Sequence, residues 1–374
     1  MDNPFLFGEV VSGENFADRE KEIEELTSDL KSGQNVIIFS PRRYGKTSLI
    51  KEVLKQLSID YITVYCDVYS ATSKEKFVEI YTRELAKATS TRLEEALKTI
   101  REYIPSIQLK LVFDSSMEMP ELEVGLGRTK KELDSHIGSL FDYPQKIAEK
   151  KNKRVIVVFD EFQELAKLNG DWLFKELRSK IQHHDKVTYV FMGSKRHLFR
   201  EIFADKNNPL YHIGKLFPLE KIPKKEFAEF IKDKLKDFEI EEGVIDEILE
   251  FTDGHPSYTQ QICHTLWEIC VKDKKITRTD VERSKDLTIK SLEATYETIW
   301  DQLTPNQRAT LVAIAIEKPE NIYAEEYRIR HKLSSVPTLQ TTIKALLKRD
   351  LIVRTKDGYD VADPFMAKWL RIYR

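Results

Sequence analysis

The sequence predicts an α/β fold: a parallel sheet covered by helices, then a helical segment, then a small C-terminal module of helices and one hairpin. Three observations predict it. Continuous apolar runs of buried-strand type alternate with helical periodicity. The first such run breaks into a loop ending in Gly-Lys-Thr, and a later one ends in two adjacent acids.

The first run is Asn35-Val36-Ile37-Ile38-Phe39, followed by Ser40-Pro41-Arg42-Arg43-Tyr44-Gly45-Lys46-Thr47-Ser48. This reads as a phosphate-binding P-loop, G-x-x-x-x-G-K-[ST], with Ser40 in place of the first glycine. In such a loop backbone N–H groups wrap the phosphates, Lys46 neutralises their charge and Thr47 takes a magnesium ion. Ser40-Pro41 can start the turn, because proline fixes its own φ and biases the residue before it toward extended geometry. Ile50, Val53, Leu54 and Leu57 follow at helical spacing, so the loop opens a helix whose N-terminus faces phosphate.

The second run, Val155-Ile156-Val157-Val158-Phe159-Asp160-Glu161, has the Walker B pattern. Asp160 is expected to organise magnesium, directly or through water, and Glu161 to polarise an attacking water. Tyr61 to Cys66 forms a further strand between the two motifs, so their strands are not expected to be neighbours; this is the additional-strand arrangement. Val187 to Ser194 is another buried strand. Ser194 either senses a γ-phosphate at the ligand end of the sheet or simply ends the strand.

Bulk composition bounds the rest. At 374 residues the chain exceeds one ordinary core and predicts two or three domains. Sixty Lys plus Arg against 62 Asp plus Glu leave a net charge of −2, so any nucleic-acid contact must be local. Cys66, Cys263 and Cys270 form no C-x-x-C pair, and their odd count argues against a disulfide framework. The absence of an apolar run of roughly 18 residues, or of a basic-then-apolar leader, completes the expectation of a cytoplasmic chain with no membrane partner.

Ser40 to Leu49, Val155 to Leu165 and Gly193-Ser194 together resemble the archaeal AAA+/STAND-type P-loop ATPases, relatives of archaeal replication initiators. Phe16-Ala17-Asp18-Arg19-Glu20-Lys21-Glu22 looks like the family's F-x-x-R-E-x-E segment, which in such proteins packs beside adenine. Gly254-His255-Pro256 looks like the G-x-P signature of the STAND helical lid. The resemblance covers nearly the whole chain. It implies ATP/ADP and Mg2+ as ligands, with Phe16, Arg19, residues 40 to 48 and Pro256 around the nucleotide. Read from the residues alone, Phe16 is equally a hydrophobic staple, and Pro256 equally a helix start at N1. One departure stands out: many relatives carry Pro-Leu-Tyr-Gly-Arg after the sensor strand, whereas this chain has Pro209-Leu210-Tyr211-His212-Ile213-Gly214-Lys215. The familiar arginine is absent; Arg196, Arg200 or Lys215 either supplies positive charge to a transition state in its place or, the favoured reading, is a solvated surface residue.

The expected organisation is an ATPase domain over 1–215 with an insertion around 71–150, a helical lid over 216–300 and a winged helix-turn-helix over 301–374. In the insertion, Ile107, Leu109, Leu111 and Phe113, then Leu122, Val124 and Leu126, alternate as a hairpin. Phe227, Phe230, Ile231 and Leu235 share a lid-helix face. Thr304-Pro305-Asn306-Gln307 is a capping box with proline at N1. Asp357-Gly358 marks a hairpin turn between Leu351–Arg354 and Tyr359–Val361. The candidate recognition helix, from about Pro337 to Lys348, exposes Thr338, Gln340, Thr341, Lys344 and Lys348, with Arg349, Arg354 and Lys356 nearby.

Three functions follow as expectations. The first is a Mg2+-dependent ATPase in which Lys46, Asp160, Glu161 and Ser194 act on ATP. The second is a nucleotide-gated switch that turns over slowly and binds a protein partner or itself. The third is a regulator contacting duplex DNA through the winged helix.

Overall fold

The computed structural model describes residues 2–8, 13, 16, 19–90, 93–103, 108–112, 121–125, 130–168, 170–355 and 358–374. They fall into two compact units, Val10–Lys221, and Met1–Glu9 with Ile222–Arg374.

The unit Val10–Lys221 runs α1 (Glu20–Ser32), β1 (Val36–Phe39), α2 (Lys46–Leu57), β2 (Ile62–Asp67), α3 (Lys74–Thr89), α4 (Leu93–Tyr103), β3 (Gln108–Val112), β4 (Glu121–Gly125) and α5 (Lys130–Lys151). It continues with β5 (Val155–Asp160), a 3₁₀ turn (Phe162–Lys167), α6 (Gly170–Ile181), β6 (Val187–Gly193), α7 (Arg196–Phe203) and β7 (Lys215–Pro218). Among the described residues, five strands form one parallel sheet in the order β2-β5-β6-β1-β7. The strands of the P-loop and of the acids are separated, as expected. What separates them in space is β6, which comes after both in sequence, while β2 takes the edge.

Every residue of β5 and β6 is buried, because helices cover both sheet faces. Alternate side chains feed two cores. Val155, Val157 and Phe159 join Tyr189 and Phe191 under α3, α5 and α6, while Ile156, Val158, Val190 and Met192 pack with Leu49, Ile50 and Val53 of α2 and Leu26 and Leu30 of α1. Phe162, in the turn after β5, is clamped between Phe191 (ring centroids 4.8 Å apart) and Phe174 (5.3 Å). Fully burying each such ring stabilises the fold by about 1.5–3 kcal/mol and fixes the turn that leaves the acids. The insertion holds the expected antiparallel hairpin, with Leu109 opposite Val124 and Leu111 opposite Leu122. Ile107, Phe113 and Leu126 lie outside the described residues.

The second unit contains α8 (Lys224–Lys234), β8 (Glu239–Ile240), α9 (Val244–Thr252), α10 (Pro256–Cys270), β9 (Lys275–Ile276) and α11 (Arg278–Asp301). Then follow α12 (Pro305–Ile316), α13 (Glu325–Arg330), α14 (Val336–Lys348), β10 (Ile352–Thr355), β11 (Gly358–Val361) and α15 (Pro364–Tyr373). The predicted capping box is present: Thr304 Oγ1 accepts from Gln307 N, and Gln307 Oε1 accepts from Thr304 N. Helix α15 has no counterpart in the sequence reading, although Asp363 caps it by accepting from Phe365 N and Met366 N, with Pro364 at N1. Its Trp369 is fully buried against Tyr296 and Trp300 of α11.

The wing differs in one detail. Gly358 does not sit in the turn but pairs with Thr355 in the β10–β11 ladder, at φ 132°. A Cβ there would overlap the carbonyl oxygen of Pro319, so the glycine serves close backbone approach as well as conformation. Lys356 and Asp357 lie outside the described residues.

Candidate active site

The loop after β1 turns on two residues in the left-handed region, Arg43 at φ 64° and Gly45 at φ 82°. Ser40 is not among them, so the position where the pattern has glycine makes no demand that serine fails to meet. Ser40 is fully buried, and its carbonyl receives the Lys46 ammonium at 3.0 Å. The same ammonium donates to Pro41 O at 3.0 Å and lies 3.3 Å from Ser40 Oγ. Lys46 thus folds its buried charge back into the loop. The first turn of α2 carries no acidic residue, so the positive end of its dipole favours an anion there.

Other loop residues divide by direction. Arg42 and Arg43 are exposed, while Tyr44 and Ser48 are buried, Tyr44 in the core shared with α1 and α2. Arg19 is buried and donates to Tyr44 O at 3.2 Å, to Glu220 O at 2.9 Å and to Glu22 Oε1 at 2.7 Å. Its guanidinium braces the loop from behind. Phe16 is half-buried against the same core. Pro256 stands at N1 of α10 in the other unit, after Asp253 and Gly254, both left-handed.

At the end of β5 the Asp160 carboxylate accepts three hydrogen bonds. Thr47 Oγ1 donates to Oδ2 at 3.0 Å, Tyr65 OH donates to the same oxygen at 2.5 Å, and Glu161 N donates to Oδ1 at 2.9 Å. The Thr47 hydroxyl and the Asp160 carboxylate form the oxygen donor pair that suits a hard divalent cation such as Mg2+. Tyr65 was not anticipated. It lies on β2, whose register places Asp67 opposite Asp160. Burial, then the charge of Asp160, pushes the Tyr65 hydroxyl far above its ordinary range, so it stays a donor. Partial desolvation is the main cause, ahead of Asp160, that raises the Asp67 carboxyl above the usual range.

Glu161 has φ 52°, an uncommon conformation for a residue with a side chain. Its Oε2 accepts from Ser194 Oγ at 3.0 Å and from Gln163 Nε2. The structure therefore brings Lys46, Thr47, Asp160, Glu161 and Ser194 to one end of the sheet through β1, β5 and β6. Gln163 is the second unanticipated member; its only sequence signal is its place two residues after the acids. Of the basic residues weighed for the missing arginine, Lys215 is committed to Asp29 (2.6 Å) and Glu25 (2.8 Å), and Arg200 is exposed. The Arg196 side chain lies outside what is described.

A β2-β5-β6-β1-β7 parallel sheet with a phosphate loop after β1 and paired acids after β5 defines a P-loop ATPase fold, here followed by a winged helix. The profile of an ATPase domain predominantly from Archaea matches residues 16–262, and that of a probable winged helix domain matches residues 294–372. The chain belongs to this archaeal ATPase family. An uncharacterised ATP-binding protein of Pyrococcus horikoshii is 28% identical over 285 residues, 72% of this chain and 82% of its own. Another, of Methanocaldococcus jannaschii, is 26% identical over 66% of this chain and 68% of its own. Among solved structures, a Walker-type ATPase of Pyrococcus abyssi matches with TM-score 0.65 and 20% identity, covering 98% of this chain and 99% of its own. The ORC2 protein of Aeropyrum pernix matches with TM-score 0.55 and 14% identity, covering 99% and 97%. Among the described residues, no helix is long and apolar enough to cross a membrane.

Proposed function

We propose that the chain is a Mg2+-dependent ATPase that converts ATP and water to ADP and phosphate. The observation that carries this reading is the Thr47–Asp160 hydrogen bond, which joins the phosphate loop to the acid strand beside Glu161 and Ser194. The relatives named as ATP-binding supply the nucleotide.

In this reading Lys46 leaves its carbonyl partners for the β- and γ-phosphates, where its charge has a stronger acceptor. The N–H groups opening α2 wrap the same oxygens. Thr47 and Asp160 would hold Mg2+, which when bound supplies positive charge against the phosphate oxygens. Glu161 orients a water and takes its proton as the water oxygen bonds the γ-phosphorus. The bond from that phosphorus to the β–γ bridging oxygen breaks, and ADP leaves with the electron pair. Ser194 donates to a γ-phosphate oxygen or to Glu161. Residues 216–300 act as a lid and 301–374 as the moving winged helix.

The test is ATP turnover by the full chain, with and without Mg2+, beside Glu161→Gln. The expected result is Mg2+-dependent phosphate release by the parent, and ATP binding without release by the variant. A variant that hydrolyses at the parent rate removes Glu161 from its role; a parent that co-purifies with nucleotide and never releases phosphate favours the slow switch.

A second reading, contact with duplex DNA, is favoured by the exposed Thr338, Gln340, Thr341, Lys344 and Lys348 along α14, with Arg354 exposed on β10. Arg349 carries less weight, since it donates to Gln302 O and Oε1.

A further inference from the structure

We propose that Gln163 is a positioning residue for Glu161, fixing the carboxylate against Ser194 so that one oxygen faces the attacking water. This rests on the hydrolytic reading above and extends it to a residue that touches neither nucleotide nor metal.

Gln163 is fully buried, in the 3₁₀ turn that Phe162 anchors beneath β5 and β6. Its Nε2 donates to Glu161 Oε2, the oxygen that also accepts from Ser194 Oγ. Its Oε1 has no hydrogen-bond partner among the described residues. A fold selected for stability alone would place an apolar side chain here, since a buried amide oxygen without a partner is a cost. The amide cannot gain by turning over, because that would set its oxygen against the Glu161 carboxylate.

Two further features hold the amide in place. A Cβ at Gly193 would overlap both Gln163 Oε1 and the Phe199 ring, so the glycine makes the space that Oε1 fills. Glu161 itself stands at φ 52°, with its carboxylate on the Gln163 amide and on Ser194 at the end of β6. With two donors on Oε2, Glu161 Oε1 is the carboxylate oxygen with no hydrogen-bond donor among the described residues, and in this reading it faces the water. Without Gln163 the carboxylate rotates about a single remaining side-chain bond, to Ser194. A misplaced base slows the chemical step and leaves nucleotide binding alone.

The experiment compares parent, Gln163→Met, Glu161→Gln and the double variant in steady-state ATP turnover, ATP affinity and thermal melting. Gln163→Leu serves as a second apolar replacement should Gln163→Met fail to fold. The expected result for Gln163→Met is a kcat about 10- to 100-fold lower, an unchanged ATP KM, and a melting temperature no lower than the parent's. Adding Gln163→Met to Glu161→Gln should cost nothing more, because the residue acts only through that carboxylate. Gln163→Met at the parent rate, or a double variant that multiplies the two losses, overturns the inference while the ATPase reading stands. A parent that binds ATP but never hydrolyses it overturns both.

Discussion

Thr47 Oγ1, in the first turn of α2, donates to Asp160 Oδ2 at the end of β5 at 3.0 Å, across 113 residues of sequence. β6 lies between β1, which leads into the loop and α2, and β5, which ends in Asp160, so the contact links the ends of two strands that are not neighbours in the sheet. With both partners in place, the loop and the acids form one site.

Asp160→Asn is expected to break that site at the metal rather than at the nucleotide. The amide keeps the shape but carries no charge, and its NH2 meets the Thr47 or Tyr65 hydroxyl as a donor instead of an acceptor. ATP affinity without Mg2+ should hold. The Mg2+ concentration for half-maximal turnover should rise by about 10- to 100-fold, the scale on which metal sites respond to such changes. Titrating Mg2+ at fixed ATP reads this directly, and an unchanged half-saturation would exclude Asp160 from the metal site.

Ser40→Gly restores the usual loop pattern and is expected to gain nothing. Ser40 is not left-handed, and its carbonyl, not its side chain, makes one of the two 3.0 Å contacts with Lys46. Glycine would keep that carbonyl while giving the unfolded chain more freedom, lowering stability by about 0.4–1 kcal/mol. Equal ATP affinity with a lower urea midpoint is the expected pair of results. Tighter ATP binding by the glycine variant would mean that the serine is a compromise.

What the sequence made legible and what it hid separate along one physical line. The loop, β5, β6 and the Thr304–Gln307 cap are local patterns, in which a few adjacent residues carry the whole signal. Tyr65 is hidden because its role depends on β2 lying beside β5, a pairing that brings together residues 95 apart. Gln163 is hidden for a different reason: only the backbone conformation at Glu161 turns two nearby side chains toward one another. Helix α15 was legible in principle, since Asp363-Pro364 is a cap followed by proline at N1. It lies within the expected 301–374 module but beyond the wing, the last element in the expected order of helices and hairpin.

The Glu282 carboxylate of α11 predicts a pH dependence in the second unit. Lys285 donates to it at 2.6 Å and Lys368 of α15 at 2.9 Å, and these bonds, Lys285's first, hold its pKa down to about 2. An unfolded glutamate titrates near ~4.3. A depressed folded value means stabilisation that is fully present above that point and lost as pH falls toward 2. Because the Glu282 side chain is 56% exposed, the effect should stay below about 1 kcal/mol. Glu282→Gln should therefore unfold slightly more easily than the parent at pH 7, with the gap closing between about pH 4.3 and pH 2. A gap that persists at pH 2 would assign the difference to packing instead.

Lys344 and Lys348 give the DNA reading its most direct test. They stand one turn apart on the exposed face of α14, and both lie on the helix that a winged domain lays toward the groove. Lysines at phosphates carry affinity but not sequence preference, and each neutralised phosphate contributes roughly −0.9 to the slope of log K against log salt. If both reach the backbone, Lys344→Ala/Lys348→Ala should make that slope shallower by about 2 and weaken binding alike on unrelated duplexes. The readout is fluorescence anisotropy on a labelled duplex from low to physiological salt, with ATP, with ADP and without nucleotide. A parent that shows no binding at low salt under any of these conditions overturns the DNA reading. Binding that survives the double variant with its slope intact moves the contact to another surface, because two removed charges cannot leave the counterion release of a shared interface unchanged.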